Sequence, residues 1–136
     1  GATVPFPLDL SEMGLPSSLQ ATVVSNEPCP LIEAGLGQVV LTTINRLSNN
    51  VWEMRLGNGS QQTDIIRATA YHKFYRVNTR SWVNAEDIKP HDIISGLDRD
   101  AGVLSNAQID GTYRVYNMTV DGDHIYRVSD SGVLVH

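Results

Sequence analysis

The sequence predicts an all-β domain of short, mostly antiparallel strands, and three observations lead to that fold class. Eleven Gly and six Pro are scattered over 136 residues, so few ten-residue windows lack a turn former and long helices are not expected. Between these turn formers lie short runs rich in Val, Ile, Thr and Tyr, residue types that suit a pleated, half-buried surface. Two dipeptides, Asn58-Gly59 and Asp121-Gly122, favour the positive φ angles of tight hairpin turns and predict that the strands flanking them pair.

Residues 1–20 contain Pro5, Pro7, Gly14 and Pro16, and read as an extended N-terminal arm with one short turn over Leu8–Met13. Residues 21–136 read as the β domain. Strands are expected over Ala21–Val24, Gln38–Leu47, Val51–Leu56, Asp64–Ala68, Lys73–Val77, Asp92–Ser95, Tyr113–Val120, His124–Ser129 and Val133–Val135. In Val51–Leu56, Trp52 and Met54 alternate with Glu53 and Arg55, as in a strand with one face covered. Val115–Val120 alternates less cleanly, which predicts a strand covered on both faces. Only Trp82–Ile88 has helical character: Asn84 is placed to cap a single turn, Glu86 and Asp87 fall at its start, and Pro90 stops it.

Ten Lys and Arg against fifteen Asp and Glu give a formal charge of −5 with no basic run, which argues against a nucleic-acid-binding surface. No stretch approaches the roughly 18 apolar residues of a membrane-spanning helix, and the N-terminus lacks the basic start and apolar run of a secretory signal. One cysteine cannot form an internal disulfide. Cys29, between Pro28 and Pro30 with no local group to activate it, is expected to be a buried structural thiol rather than a nucleophile.

Reactive chemistry therefore rests on His72, His91, His124 and His136. Their spacing contains neither HxxxH nor HExxH and there is no Cys pair, so neither a metal site nor a cofactor is expected. Thr69 and His72 stand three residues apart where one strand should end and the next begin. On spacing alone, an incidental imidazole in a surface turn is the simpler reading. Asn117, His124 and His136 fall within the last twenty residues, on three expected strands separated by Asp-Gly and Ser-Gly turns, so side-by-side strands would gather them.

The order of several blocks resembles the Hint domains of inteins and hedgehog autoprocessing proteins, and above all the pre-toxin Hint modules of bacterial Rhs-type polymorphic toxins. Thr69-Ala70-Tyr71-His72-Lys73-Phe74-Tyr75 is similar to the family's T-x-x-H-P-F block, and residues 81–92 are similar to its W-V-x-A-x-x-L-x-x-G-D segment. Val115–Val120, Asp123–Val128 and Gly132–His136 resemble V-Y-N-L-x-V, the H-x-Y-x-V strand and the terminal G-V-L-V-H. The likeness is good over residues 38–136.

The resemblance implies a horseshoe of strongly bent antiparallel strands and self-directed acyl transfer. It gives Thr69 and His72 the task of activating the N-terminal junction. It gives His136 the scissile carbonyl after it, His124 the side-chain amide proton of an Asn expected directly after His136, and Asn117 the orientation of these groups. As written the chain stops at His136 and lacks that Asn. Segments matching the family's first strands, with their C-F-x-x-G-T nucleophile block, are not found, which together with Asn117 in place of a common Asp favours C-terminal cleavage over splicing.

The implied partners are the precursor's own flanks, an N-terminal delivery region and a C-terminal toxin, and an edge left unpaired would recruit a second copy into a dimer. The alternative is a degenerate Hint scaffold that links its neighbours without chemistry. One departure carries a backbone expectation: His91 replaces the usual Gly of the G-D turn, and since a side chain disfavours positive φ, a different conformation is expected there, with His91 and Asp92 as a surface pair.

Overall fold

The computed structural model describes residues 1–136, the side chain of Glu12 excepted. Among the described residues there are twelve strands and two 3-10 turns. Strands β1 (Thr3–Pro5) and β2 (Gln20–Thr22) pair with each other, flanking the first 3-10 turn at Ser11–Met13. Strands β3 (Val40–Ser48), β4 (Val51–Asn58), β5 (Gln61–Thr69) and β6 (Lys73–Arg76) follow, then β7 (Ser81–Asn84) and the second 3-10 turn at Ala85–Asp87. The chain continues through β8 (Ile93–Ile94), β9 (Ala101–Ile109), β10 (Tyr113–Val120), β11 (Tyr126–Val128) and β12 (Val133–Val135).

Every pairing is antiparallel. The main sheet runs β11-β12-β6-β8-β9-β4-β5, with β7 added to β6, while β3 and β10 form a separate pair. Register shifts at Arg55/Leu56, Leu56/Gly57 and Thr119/Val120 bend the long strands, because a bulge adds local twist. The result is a curled sheet around one core.

Phe74, Met54, Leu56, Ile94, Val51, Val133 and Val135 have essentially no solvent contact, and burial of each such side chain contributes about 1.5–3 kcal/mol. The Asn58-Gly59 hairpin forms as expected, with Asn58 opposite Gln61 and Gly59 at φ 65°. Among the described residues, no helix is long and apolar enough to cross a membrane.

Several expectations are corrected. Trp82 to Asn84 are strand, not helix, and only Ala85–Asp87 turn; the Asn84 side chain makes no cap and accepts instead from Lys73 Nζ at 3.2 Å. The nine-residue strand β9, unexpected from its composition, lies inside the sheet between β8 and β4. Its Asn106 Nδ2 donates to the carbonyls of Ala85 and Ile88 at 2.7 and 2.9 Å, tying the second 3-10 turn to the sheet. Asp121-Gly122 turns the chain without making a hairpin, since β10 pairs with β3 and β11 with β12. Strand β10 is not covered on both faces: Tyr113, Val115 and Asn117 are half-buried while Arg114 and Tyr116 face solvent.

Cys29 is exposed, not buried. Its flanking prolines have no N–H to give a sheet, and residues 24–40 all face solvent.

His91 keeps a left-handed backbone, φ 76°, despite its side chain. Its N–H donates to Val103 O at 2.9 Å, and Asp92 N–H donates to Lys89 O at 3.1 Å, so the turn is held from both sides. Asp92 pairs not with His91 but with Arg76, Asn78 and the Lys89 N–H. Partial burial pushes the Asp92 carboxylate up, and the hydrogen bonds from Lys89, Asn78 and Arg76 more than offset it, holding its pKa below the ordinary 3.8.

Two outcomes are expected. Replacing His91 with Gly removes the left-handed strain of about 1–2 kcal/mol, part of which is offset by the greater freedom of the unfolded chain. Denaturant titration should find H91G more stable by about 0.5–1 kcal/mol, and a loss of stability would refute the strain. Asp92, with a lowered pKa in the folded state, contributes stability that is complete above its ordinary value and lost as pH falls through the folded value. Asp92→Asn should therefore be less stable than the parent at neutral pH, with the gap narrowing below pH 3.8; a pH-independent gap would contradict this.

Candidate functional site

Strand β12 fixes where the candidate residues meet. It lies between β11 and β6, with Val135 opposite both Tyr126 and Phe74. The alignment continues one residue further, where His136 N–H donates to Lys73 O at 3.0 Å. The end of β12 is thus hydrogen-bonded to the residue that follows His72.

His72 sits in the turn between β5 and β6. Thr69 is the last residue of β5, and His72 N–H closes the turn on Thr69 O at 3.1 Å. Ala85 N–H donates to His72 O at 2.8 Å, and Glu86 N–H to Ala70 O at 3.1 Å, so the second 3-10 turn clamps this corner from outside. Thr69 and His72 are both buried, so the imidazole does not sit on the surface as the spacing alone suggests. The His72 ring meets Phe74 and Tyr126 edge to face, with centroids 5.8 and 6.3 Å away.

His124 and His136 form a second group. His124 is not on a strand as expected but in the exposed connection between β10 and β11, with a left-handed backbone at φ 57°. Its ring lies 6.4 Å from that of His136. His136 is half-buried and meets the edge-on Trp82 ring at 5.6 Å, and Trp82 in turn meets Tyr75 at 5.3 Å. The four rings make a continuous row along one end of the sheet.

Asn117 comes from the other sheet, on β10 opposite Ile44 of β3. Its Oδ1 accepts from Met118 N–H at 2.9 Å and from the Tyr126 hydroxyl at 2.8 Å. Between the sheets lies a cavity of about 710 Å³, lined by Thr69, His72, Asn117 and Tyr126 together with apolar groups such as Ile44 and Val115. His124 and His136 do not line it. The five candidates therefore fall into two groups, Thr69, His72 and Asn117 around the cavity, and His124 with His136 beside it, with β11 and β12 linking the two. Tyr126 and Trp82 join these groups although neither the spacing nor the resemblance gives them a role at the site. Tyr126 alternates with the exposed Arg127 and precedes the half-buried Val128, a period-two signal that puts its ring inward.

Asp64 supports the approach to β12. Burial pushes its carboxylate up, but hydrogen bonds from Ser129, Ser131 and Ile65 outweigh it and hold the group below its ordinary value. Its Oδ2 takes the Ser131 N–H at 3.1 Å, anchoring the β11–β12 turn to β5. Among the described residues, no three His, Cys, Asp or Glu gather as metal ligands. The arrangement places the His124 and His136 imidazoles beside a strand end whose backbone is fixed.

A family model described as the pretoxin HINT domain matches residues 24–136. Solved structures share the fold. An intein-like domain from Clostridium thermocellum is 27% identical at a TM-score of 0.61, over 73% of this chain and 70% of that one. The gp41-1 intein is 17% identical at 0.56, over 73% and 72% of the two chains. The MchDnaB-1 intein is 17% identical at 0.58, over 73% of each. No curated protein sequence matches this chain. With the family model spanning β3 to the end of β12 and the curled sheet shared with intein-like domains, the chain belongs to the pretoxin Hint family.

Proposed function

We propose that this Hint module cleaves its own precursor at the C-terminal junction, through cyclisation of an asparagine directly following His136, and so releases a downstream toxin. The observation that carries the reading is the main-chain bond from His136 N–H to Lys73 O, with the His124 ring 6.4 Å from that of His136. A residue joined to His136 would start from a fixed point. Residues 21–136 are the processing unit in this reading and residues 1–20 an arm ahead of it. The pretoxin description supports a place within a larger precursor, whose flanks are the partners. Among the described residues β3 and β10 pair only with each other, and their outer edges are where a second copy would add a strand.

The chemistry follows from the weakness of the nucleophile. An amide nitrogen has a delocalised lone pair, so it attacks its own main-chain carbonyl only when a base takes its proton and a donor stabilises the oxyanion. His124 takes the amide proton, and His136 polarises the carbonyl and protonates the leaving amine. The new C–N bond closes a succinimide, and the peptide bond to the next residue breaks. In this reading Thr69 and His72, buried in one turn, would serve the N-terminal junction, and Asn117, an amide, orients rather than titrates. Positioning alone supplies up to about 7–11 kcal/mol of such a barrier.

The decisive measurement is intact mass over time for the chain extended by Asn and a reporter peptide. The expected result is loss of the reporter, leaving a fragment one water lighter than the acid it later becomes, with His136→Ala and His124→Ala each slowing release at least about 100-fold, the lower range of a general acid or base. A reporter retained from pH 6 to 9, the range where imidazole changes charge, would instead support a scaffold without chemistry.

A further inference from the structure

We propose that Tyr126 is a positioning residue for the site, its hydroxyl holding the Asn117 side-chain amide in one orientation across the gap between the two sheets. For its bearing on cleavage the inference rests on the self-processing reading; the hydrogen bond itself does not.

Two contacts fix which way the Asn117 amide faces. The Met118 N–H at 2.9 Å can only donate, so the atom it meets is the carbonyl oxygen. The Tyr126 hydroxyl, 2.8 Å from the same oxygen, must then donate as well. Both lone-pair directions of Oδ1 are used, and Nδ2 with its two protons points the other way. Rotating the amide by half a turn would set Nδ2 against the Met118 N–H, which can only donate, so this orientation is preferred and the Tyr126 hydroxyl donates to it.

The placement of Tyr126 matters as much as the bond. It lies on β11 of the main sheet and Asn117 on β10 of the separate pair, so the bond ties the two walls of the cavity together. The Tyr126 ring also stands edge to face with His72 at 6.3 Å and packs against the core. One side chain therefore orders an amide through its hydroxyl and an imidazole through its ring. Phenylalanine would keep the ring contact and lose only the hydroxyl, which makes the two roles separable.

The test uses the chain extended by Asn and a reporter peptide, with Tyr126→Phe, Asn117→Ala and the double variant. Tyr126→Phe should release the reporter about tenfold more slowly while unfolding at nearly the parent temperature. If Tyr126 acts through Asn117, the double variant should be no slower than Asn117→Ala alone. A Tyr126→Phe rate equal to the parent's, or a double variant slowed by the product of the two single effects, would overturn the proposal.

A second readout does not need cleavage. The two Asn117 side-chain amide resonances, which slow C–N rotation keeps apart in any asparagine, should lie away from the positions of a free asparagine side chain in the parent and shift toward them in Tyr126→Phe. If they are unchanged, the bond does not order the amide and the proposal fails. A parent that keeps its reporter, with this spectral change present, overturns self-cleavage and leaves the positioning bond standing.

Discussion

The insertion of β12 between β11 and β6 is the constraint on which the site depends. Val135 is fully buried, and it faces Tyr126 on one side and Phe74, also fully buried, on the other. Removing such a side chain from a packed interior costs about 2–5 kcal/mol, a large fraction of a domain's net stability. The strand is therefore held by its apolar alternation, Val133 and Val135 inward, and its polar end follows. Leu134 N–H donates to Ser95 O and His136 N–H to Lys73 O, both at 3.0 Å, so the ladder continues beyond the packed pair. Hydrophobic burial places the histidine.

The approach to that strand uses residues in unusual backbone states. Ser129 and Gly132 both have positive φ, 65° and 62°, within a four-residue span between β11 and β12. At Gly132 an added Cβ would meet Leu97 Cβ at 2.6 Å, so glycine is required both by the backbone angle and by the close approach of the neighbouring loop. Asp64 completes the turn by accepting the Ser131 N–H from across the sheet. These three features explain why the G-V-L-V-H block opens on glycine: without it the turn would shift and β12 would enter out of register. A one-residue slip would exchange Val135 for Leu134 on the buried face and move His136 away from Lys73.

Much of this fold is legible in the sequence because the strongest strands carry their own signal. Tyr113–Val120 and Val133–Val135 match to the residue, since their β-branched and aromatic side chains are bounded by Asp121-Gly122 and by Ser131-Gly132. Strand β9 is illegible for the opposite reason. Ala101-Gly102-Val103-Leu104-Ser105-Asn106-Ala107-Gln108-Ile109 has few good strand formers, and it is a strand because β4 and β8 flank it and Asn106 binds two carbonyls of the second 3-10 turn. Asp121-Gly122 misleads because turn chemistry specifies a reversal of direction but not the partner. The partner of β10 is β3, about seventy residues earlier, and no local pattern encodes that choice. His91 shows tertiary contacts overriding a residue's own preference, with the left-handed turn retained through bonds to Val103 and Lys89.

Motif order, rather than local spacing, marks the candidate residues, because the groups that meet in space are far apart in the chain. Thr69 and His72 lie in a single turn, but the groups they share a site with come from β10, β11 and β12, more than forty residues later. What unites them is a long-range arrangement of two sheets, held open over a cavity and bridged by the Tyr126 hydroxyl at Asn117. Such an arrangement suits a reaction performed once on the chain itself. A multiple-turnover enzyme must bind and release its substrate, whereas in the proposed cleavage the reacting segment would be covalently attached, with its starting direction set by the β12 ladder. Translational freedom is already lost on folding, so the remaining requirement is orientation. Orientation is what the proposed reaction would draw from a fixed main chain at His136, an oriented amide at Asn117 and a row of rings in contact from Tyr75 through Trp82 and His136 to His124.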